Sequence, residues 1–156
     1  MNPSADQYTH AQFNQEVSHR AQWHTNCDTK PSVLVLTRQN LPCIHDDFIT
    51  EKNLEFYKEN KKNGYIISCG SELNLALLVG KRLKKTVISM PFFEKKEINA
   101  CIHIIEASSG MCWNYLFNQA NIFNIKSFGA SGKCNDLLTY YGFTLENLLN
   151  WIAQTS

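Results

Sequence analysis

Residues 64–90 read GYIISCGSELNLALLVGKRLKKTVISM, and this stretch decides the fold. Tyr65-Ile66-Ile67-Ser68 is a short apolar run closed by Cys69-Gly70-Ser71; Thr86-Val87-Ile88-Ser89-Met90 is a second, stopped by Pro91. Short runs rich in branched residues and bounded by turn formers are strands buried on both faces. Between them, from about Glu72 to Lys85, Leu73, Ala76, Leu77, Gly80 and Leu83 fall on one helical stripe. Lys81, Arg82, Lys84 and Lys85 crowd the end of that helix, where cations suit the negative pole of its dipole. Read alone, those basic residues are a solvated helix end.

The alternation continues toward the C-terminus. Cys101-Ile102-His103-Ile104-Ile105 is a third strand, ending at Glu106-Ala107-Ser108, and a weaker one covers Ile122 to Ile125. Ser131 is placed to cap a helix running toward Tyr141, which Gly142 terminates. Thr144 caps a last helix carrying Leu145, Leu148, Leu149 and Ile152. Strands alternating with helices predict an α/β domain: three layers, a mostly parallel, mixed sheet of about five strands, and helices on both faces.

Toward the N-terminus the pattern is incomplete. Phe13, Val17 and Ala21 recur every four residues, with Trp23 near the same face, and predict one amphipathic helix. Val33-Leu34-Val35-Leu36 reads as a central strand whose burial contributes roughly 6–12 kcal/mol. One helix and one strand cannot enclose a core, and such a strand left bare invites association. Residues 1–42 are therefore expected to be the end of a truncated domain, 43–63 a polar linker, and 64–156 a complete domain.

Composition narrows the function classes. The chain has 156 residues, 44% hydrophobic and 19% charged, with a net charge of +1. That is a globular chain with no overall electrostatic pull toward nucleic acid or an anionic membrane. No apolar run reaches the roughly 20 residues of a spanning helix, and Met1 to Arg20 has no signal-peptide centre. Six cysteines without a C-x-x-C pair predict reduced thiols and a cytoplasmic protein, and argue against a zinc site.

Four stretches in register resemble the transketolase family, specifically its C-terminal end. Leu36-Thr37-Arg38-Gln39-Asn40-Leu41-Pro42 is similar to the (S/T)-R-Q-N-L-P motif that closes the pyrimidine-binding domain. Gly70-Ser71-Glu72 resembles the turn opening the family's C-terminal domain, and Val87-Ile88-Ser89-Met90-Pro91 its V-V-S-M-P strand. Phe128-Gly129-Ala130-Ser131, then Tyr141-Gly142-Phe143-Thr144-Leu145-Glu146-Asn147, resembles its F-G-x-S and F-G-F-T-x-E-N ending. Asn2-Pro3-Ser4-Ala5-Asp6 is similar to a worn R-P-A-D turn. The segment from Pro91 to Glu106 is shorter than the family's, which predicts a trimmed helix there, and Gly132 replaces the usual Ala-Pro after Ser131.

The resemblance implies transfer of a two-carbon ketol group from a ketose phosphate to an aldose phosphate, with Arg38 contacting the substrate phosphate. An arginine just past a strand's C-terminal end offers a planar, permanently charged fork for phosphate. The family's G-D-G diphosphate and metal site and its activating glutamate have no counterpart in the chain. No cofactor is therefore expected on this chain; thiamine diphosphate and a divalent metal such as Mg2+ belong to the complete enzyme. The chain is expected to be inactive alone and to need N-terminal transketolase domains on a separate chain, or a homodimer, with sugar phosphates as substrates. Met1 leaves room for a gene product in its own right. The alternatives are a stand-alone small-anion-binding or interaction module, or a non-functional truncated relic.

Other residues read as structural. Gly70-Ser71 and Gly129 with Ser131 are tight turns before they are anion cradles, because no full G-x-G-x-x-G fingerprint is present. His103 inside an apolar strand is a satisfied core histidine. Glu106 at that strand's end has no second acid or base at a usable spacing, and His45-Asp46-Asp47 is solvated.

Overall fold

The computed structural model describes residues 41, 44, 54–91, 93, 95 and 97–156. Of the two units into which the chain divides, the second, Asn53–Ser156, holds every element described below. The predicted helix over Thr9 to Trp23, the strand at Val33–Leu36, and Arg38 lie outside the described residues.

In chain order the elements are β1 (Leu54–Phe56), β2 (Tyr65–Ser68), α1 (Leu73–Leu83), β3 (Thr86–Ser89), β4 (Ile102–Glu106), α2 (Met111–Leu116), β5 (Asn121–Asn124), α3 (Cys134–Tyr140) and α4 (Leu145–Thr155). Short 3-10 turns at Lys58–Asn63 and Gly70–Glu72 flank β2. The five strands form one mixed sheet in the order β1-β3-β2-β4-β5. β1 runs antiparallel to β3; every other pairing is parallel.

Register explains the two faces. Ile66 stands between Val87 and His103, and Ile67 between Ile88 and Ile104, so alternate residues along each strand enter opposite layers. Ile67, Ile88, Met90, Ile102 and Ile104 pack with Trp113, Leu116 and Phe117, which places α2 and the turn after it on one face. Val87 and His103 face α1 and α4, which pack on each other across the opposite face. The predicted three-layer architecture is the one observed.

Local chemistry sets the helix limits. In α1 the buried residues are Leu73, Ala76, Val79 and Gly80, so the stripe is rotated slightly from the expected one. A β-carbon at Gly80 would lie 2.2 Å from Val87 Cγ2, and this close approach requires glycine. α1 ends at Lys84, whose left-handed φ of 51° turns the chain back toward β3. As a result Lys85 is buried, its Nζ donating to Asn63 O at 2.6 Å. Only Lys81, Arg82 and Lys84 form the solvated end expected of all the basic residues.

Gly142, at φ 80°, closes α3 as predicted: Gly142 N donates to Thr139 O at 3.1 Å and Phe143 N to Leu138 O at 2.7 Å. Thr144 caps α4, its hydroxyl accepting from Asn147 N at 3.4 Å. Ser131 does not cap α3. That helix starts at Cys134 after Lys133, which makes no side-chain cap, and Ser131 lies in an exposed loop.

Two elements were not foreseen. β1 and the 3-10 turn fall within the stretch expected as linker, and Glu55 binds Lys61 Nζ at 2.7 Å there. Charged residues suit a solvent-exposed edge strand, which is why they read as linker. α2 spans only six residues, though Trp113, Leu116 and Phe117 show helical spacing.

Candidate functional site

β2 and β4 are parallel neighbours, yet their following helices, α1 and α2, lie on opposite faces. In an open α/β sheet that divergence leaves a crevice beyond the carboxyl ends of the two strands, where such folds place ligands. Here those ends are Ser68-Cys69-Gly70-Ser71-Glu72 and Glu106-Ala107-Ser108, joined where Ser68 Oγ donates to Ile105 O at 2.9 Å.

Two carboxyls converge there. Glu72 is only 8% exposed, and the Ser71 hydroxyl donates to its Oε1. Burial pushes its carboxyl above the ordinary carboxylate value; the Ser71 bond opposes this, while the negative charge of Glu106 adds to it. Backbone N–H groups of Glu72 and Ala107 give some stabilisation back to the anion. Glu106 is held at both oxygens, Oε2 accepting from Trp113 Nε1 at 2.7 Å and Oε1 from Ser108 N at 3.0 Å. The second acid missing from the sequence spacing around Glu106 is therefore Glu72, brought to it by the crossover.

The pair sits where the Ala107 N–H, given to the Glu72 carboxyl, ties the start of α1 to the end of β4, and its two negative charges repel each other. It is a poor cradle for an anion, because the Ser71 hydroxyl is already given to a carboxyl and a second carboxyl stands nearby. A raised folded-state value means stability falls as pH rises through the window between the ordinary and the folded value. Glu72→Gln, which keeps an acceptor for Ser71, is expected to raise the melting temperature at pH 7.5 by a few degrees. Thermal melts at pH 4 and pH 7.5 check it, the gain vanishing at pH 4.

At the other end of β4, His103 is fully buried, as predicted for a core histidine. Thr155 Oγ1 lies 3.1 Å from His103 Nε2 and 2.9 Å from Trp151 O, so a hydroxyl of α4 partners the buried ring. Cys101 Sγ lies beside the ring, 3.8 Å from Nδ1 and 4.0 Å from Nε2. The ring stands edge-on to Trp151, centroids 5.3 Å apart. Burial, assisted by the Lys85 charge, lowers its pKa to about 4.

Above about pH 6.5 the histidine is neutral in both folded and unfolded chains. As pH falls from 6.5 toward 4 only the unfolded chain takes up the proton, and stability drops. The expected loss is roughly 2 kcal/mol after allowance for solvent screening at the Cys101 edge. Urea titrations across that range check it; His103→Gln should flatten the His103 part of the slope.

Among the described residues no group of three or more His, Cys, Asp or Glu side chains is placed to hold a metal ion. No described helix is long and apolar enough to cross a membrane. Phe128 is 98% exposed, its carbonyl accepting from Tyr141 Oη at 2.8 Å, so the Phe128–Ser131 turn is fixed but solvent-facing. His45, Asp46 and Asp47 lie outside the described residues. A diphosphate and its metal do not fit what is described: the carboxyl ends of β2 and β4 present two carboxyls and no lysine or arginine.

A mostly parallel α/β domain with an antiparallel edge strand is the class this fold defines. No protein-family model matches the chain. It is 32% identical to the transketolase of Staphylococcus epidermidis, covering 85% of this chain and 24% of that enzyme. To transketolase 1 of Saccharomyces cerevisiae it is 29% identical, over 80% of this chain and 21% of that one. Among solved structures, the Pichia stipitis transketolase complexed with sedoheptulose-7-phosphate superposes with a TM-score of 0.63 at 26% identity, over 76% of this chain and 20% of that chain. The Campylobacter jejuni transketolase gives 0.52 at 28% identity, over 58% of this chain and 16% of its own.

In sequence and in fold the chain is transketolase-like, and what it matches is the C-terminal portion of that family. It spans about a fifth to a quarter of the length of the curated relatives it matches.

Proposed function

We propose that the chain serves as the C-terminal segment of a transketolase-type enzyme. It contributes to transfer of a two-carbon ketol group between sugar phosphates and does not catalyse the transfer alone. The observation that carries this reading is the joint match of sequence and fold to transketolases over three quarters or more of the chain. Thiamine diphosphate, when bound in the complete enzyme, supplies the carbanion chemistry of ketol transfer. In this reading the cofactor and its divalent metal belong to N-terminal domains on a partner chain, in a dimeric, cytoplasmic assembly. Residues 1–42 are the end of the pyrimidine-binding domain, and the sheet domain buttresses the assembly.

Arg38 then holds the substrate phosphate. In a reconstituted complex, Arg38→Ala is expected to lower kcat/KM for the ketose phosphate roughly 10–100-fold, mainly through KM, as loss of a charge-assisted hydrogen bond does. Arg38→Lys should recover part of it. An unchanged KM would remove Arg38 from the site. The exposed Phe128 favours the interaction-module alternative only as far as an aromatic anchor for some partner.

A further inference from the structure

Asn63 is the only asparagine of the chain that a glycine follows, and the fold requires both residues. Asn63 Nδ2 donates to Lys84 O at 2.7 Å, and Asn63 O accepts from the buried Lys85 Nζ at 2.6 Å. With Thr86 Oγ1 donating to Tyr57 O at 2.9 Å, these bonds fasten the turn between β1 and β2 onto the link between α1 and β3. A β-carbon at Gly64 would lie 2.7 Å from Cys101 O, a backbone atom, so glycine alone fits there.

The side-chain amide of an asparagine is open to attack by the next residue's nitrogen, and a glycine leaves that approach unhindered. This turn favours the attack. Asn63 is exposed to water, and Gly64 N donates to Lys61 O at a long 3.3 Å. As Gly64 N gives up its proton, negative charge spreads onto Asn63 O, where the Lys85 ammonium already stands. The side chain must leave Lys84 O to turn toward Gly64 N, whereas the bond from Lys85 is to the main chain and is kept.

We propose that Asn63–Gly64 is a self-modification site, at which the Asn63 amide becomes an acid at a rate set by Lys85. Gly64 N forms a bond to Asn63 Cγ, the Cγ–Nδ2 bond breaks, and ammonia departs with the proton that Gly64 N has lost. Water then opens the cyclic imide at either carbonyl, giving an aspartyl or an isoaspartyl residue. Neither product has the N–H that held Lys84 O, so the turn and the edge strand β1 are loosened.

The test incubates the folded full chain at pH 7.5 and 37 °C beside a portion unfolded in urea, and peptide mass spectrometry follows amide-to-acid conversion at each asparagine. The expected result is conversion led by Asn63, at least as fast in the folded chain as in the unfolded one. Lys85→Met, shown to be folded by circular dichroism, should slow it roughly 10-fold, and Lys85→Arg, which keeps the charge, much less. Asn63→Asp, which makes the aspartyl product directly, should quicken amide hydrogen exchange across residues 57–64 severalfold. A folded chain that keeps the Asn63 amide while the unfolded chain loses it overturns the proposal. So does a folded Lys85→Met chain that converts as fast as the parent, and unchanged exchange in Asn63→Asp overturns the loosening of the turn.

Discussion

Trp113→Ala should cost about 3–5 kcal/mol and leave the sheet domain close to its folding limit. Trp113 is almost wholly buried at the centre of the core beneath α2. Its ring meets Phe93 at 4.8 Å and stacks on Phe117 at 6.5 Å, so truncation removes both contacts and opens a cavity between the sheet and these rings. Its Nε1–H also anchors Glu106, and with that anchor gone the carboxylate keeps only its bond from Ser108 N. Trp113→Phe separates the two contributions. It keeps most of the apolar volume and removes the charge-assisted bond, for an expected cost of about 1.5–3 kcal/mol. Urea unfolding followed by circular dichroism reads both variants, and a Phe variant as unstable as the Ala variant would show that the bond to Glu106 dominates.

Gly80→Ala is the second large effect, expected at about 2–3 kcal/mol although it adds a single methyl to a helix. By propensity alone the exchange would stabilise α1 by roughly 1 kcal/mol. Sterics reverse the sign, because the new carbon would sit 2.2 Å from Val87 Cγ2, a stiff branched side chain held in the middle of the sheet. The cost should fall sharply in the Gly80→Ala, Val87→Ala pair relative to the sum of the single changes. Additive losses would place the strain elsewhere, on the Lys85 carbonyl 3.3 Å away.

What could be read from the residues follows the strength of local signals. β2, β3 and β4 carry consecutive branched apolar residues and were legible because burial on both faces leaves no other pattern. Gly142 and Thr144 were legible because a left-handed turn and a cap each demand particular residues. β1 was hidden because an edge strand is allowed to be charged, and α2 because six residues give less than two helical turns. The Ser131 cap failed for a related reason: capping residues are common in loops, and the loop here runs on to Lys133.

The two carboxyls illustrate a different limit. Glu106 stood out at the end of β4, but its companion Glu72 lies before α1, across a crossover through β3. Only the strand order, with β2 beside β4, brings them together. The polar partner of His103 was equally out of reach, since it is Thr155 at the end of α4. The resemblance supplied what spacing could not, the reading of Arg38, and that residue lies outside what the structure describes.

The most direct test of the central claim is a native purification of the endogenous protein, with mass spectrometry and a thiamine-diphosphate-dependent ketol-transfer assay on the eluate. The account predicts a larger cofactor-bearing transketolase chain in the eluate and activity that disappears when the two are separated. Recovery of the chain alone, with no activity in its fraction, would contradict it.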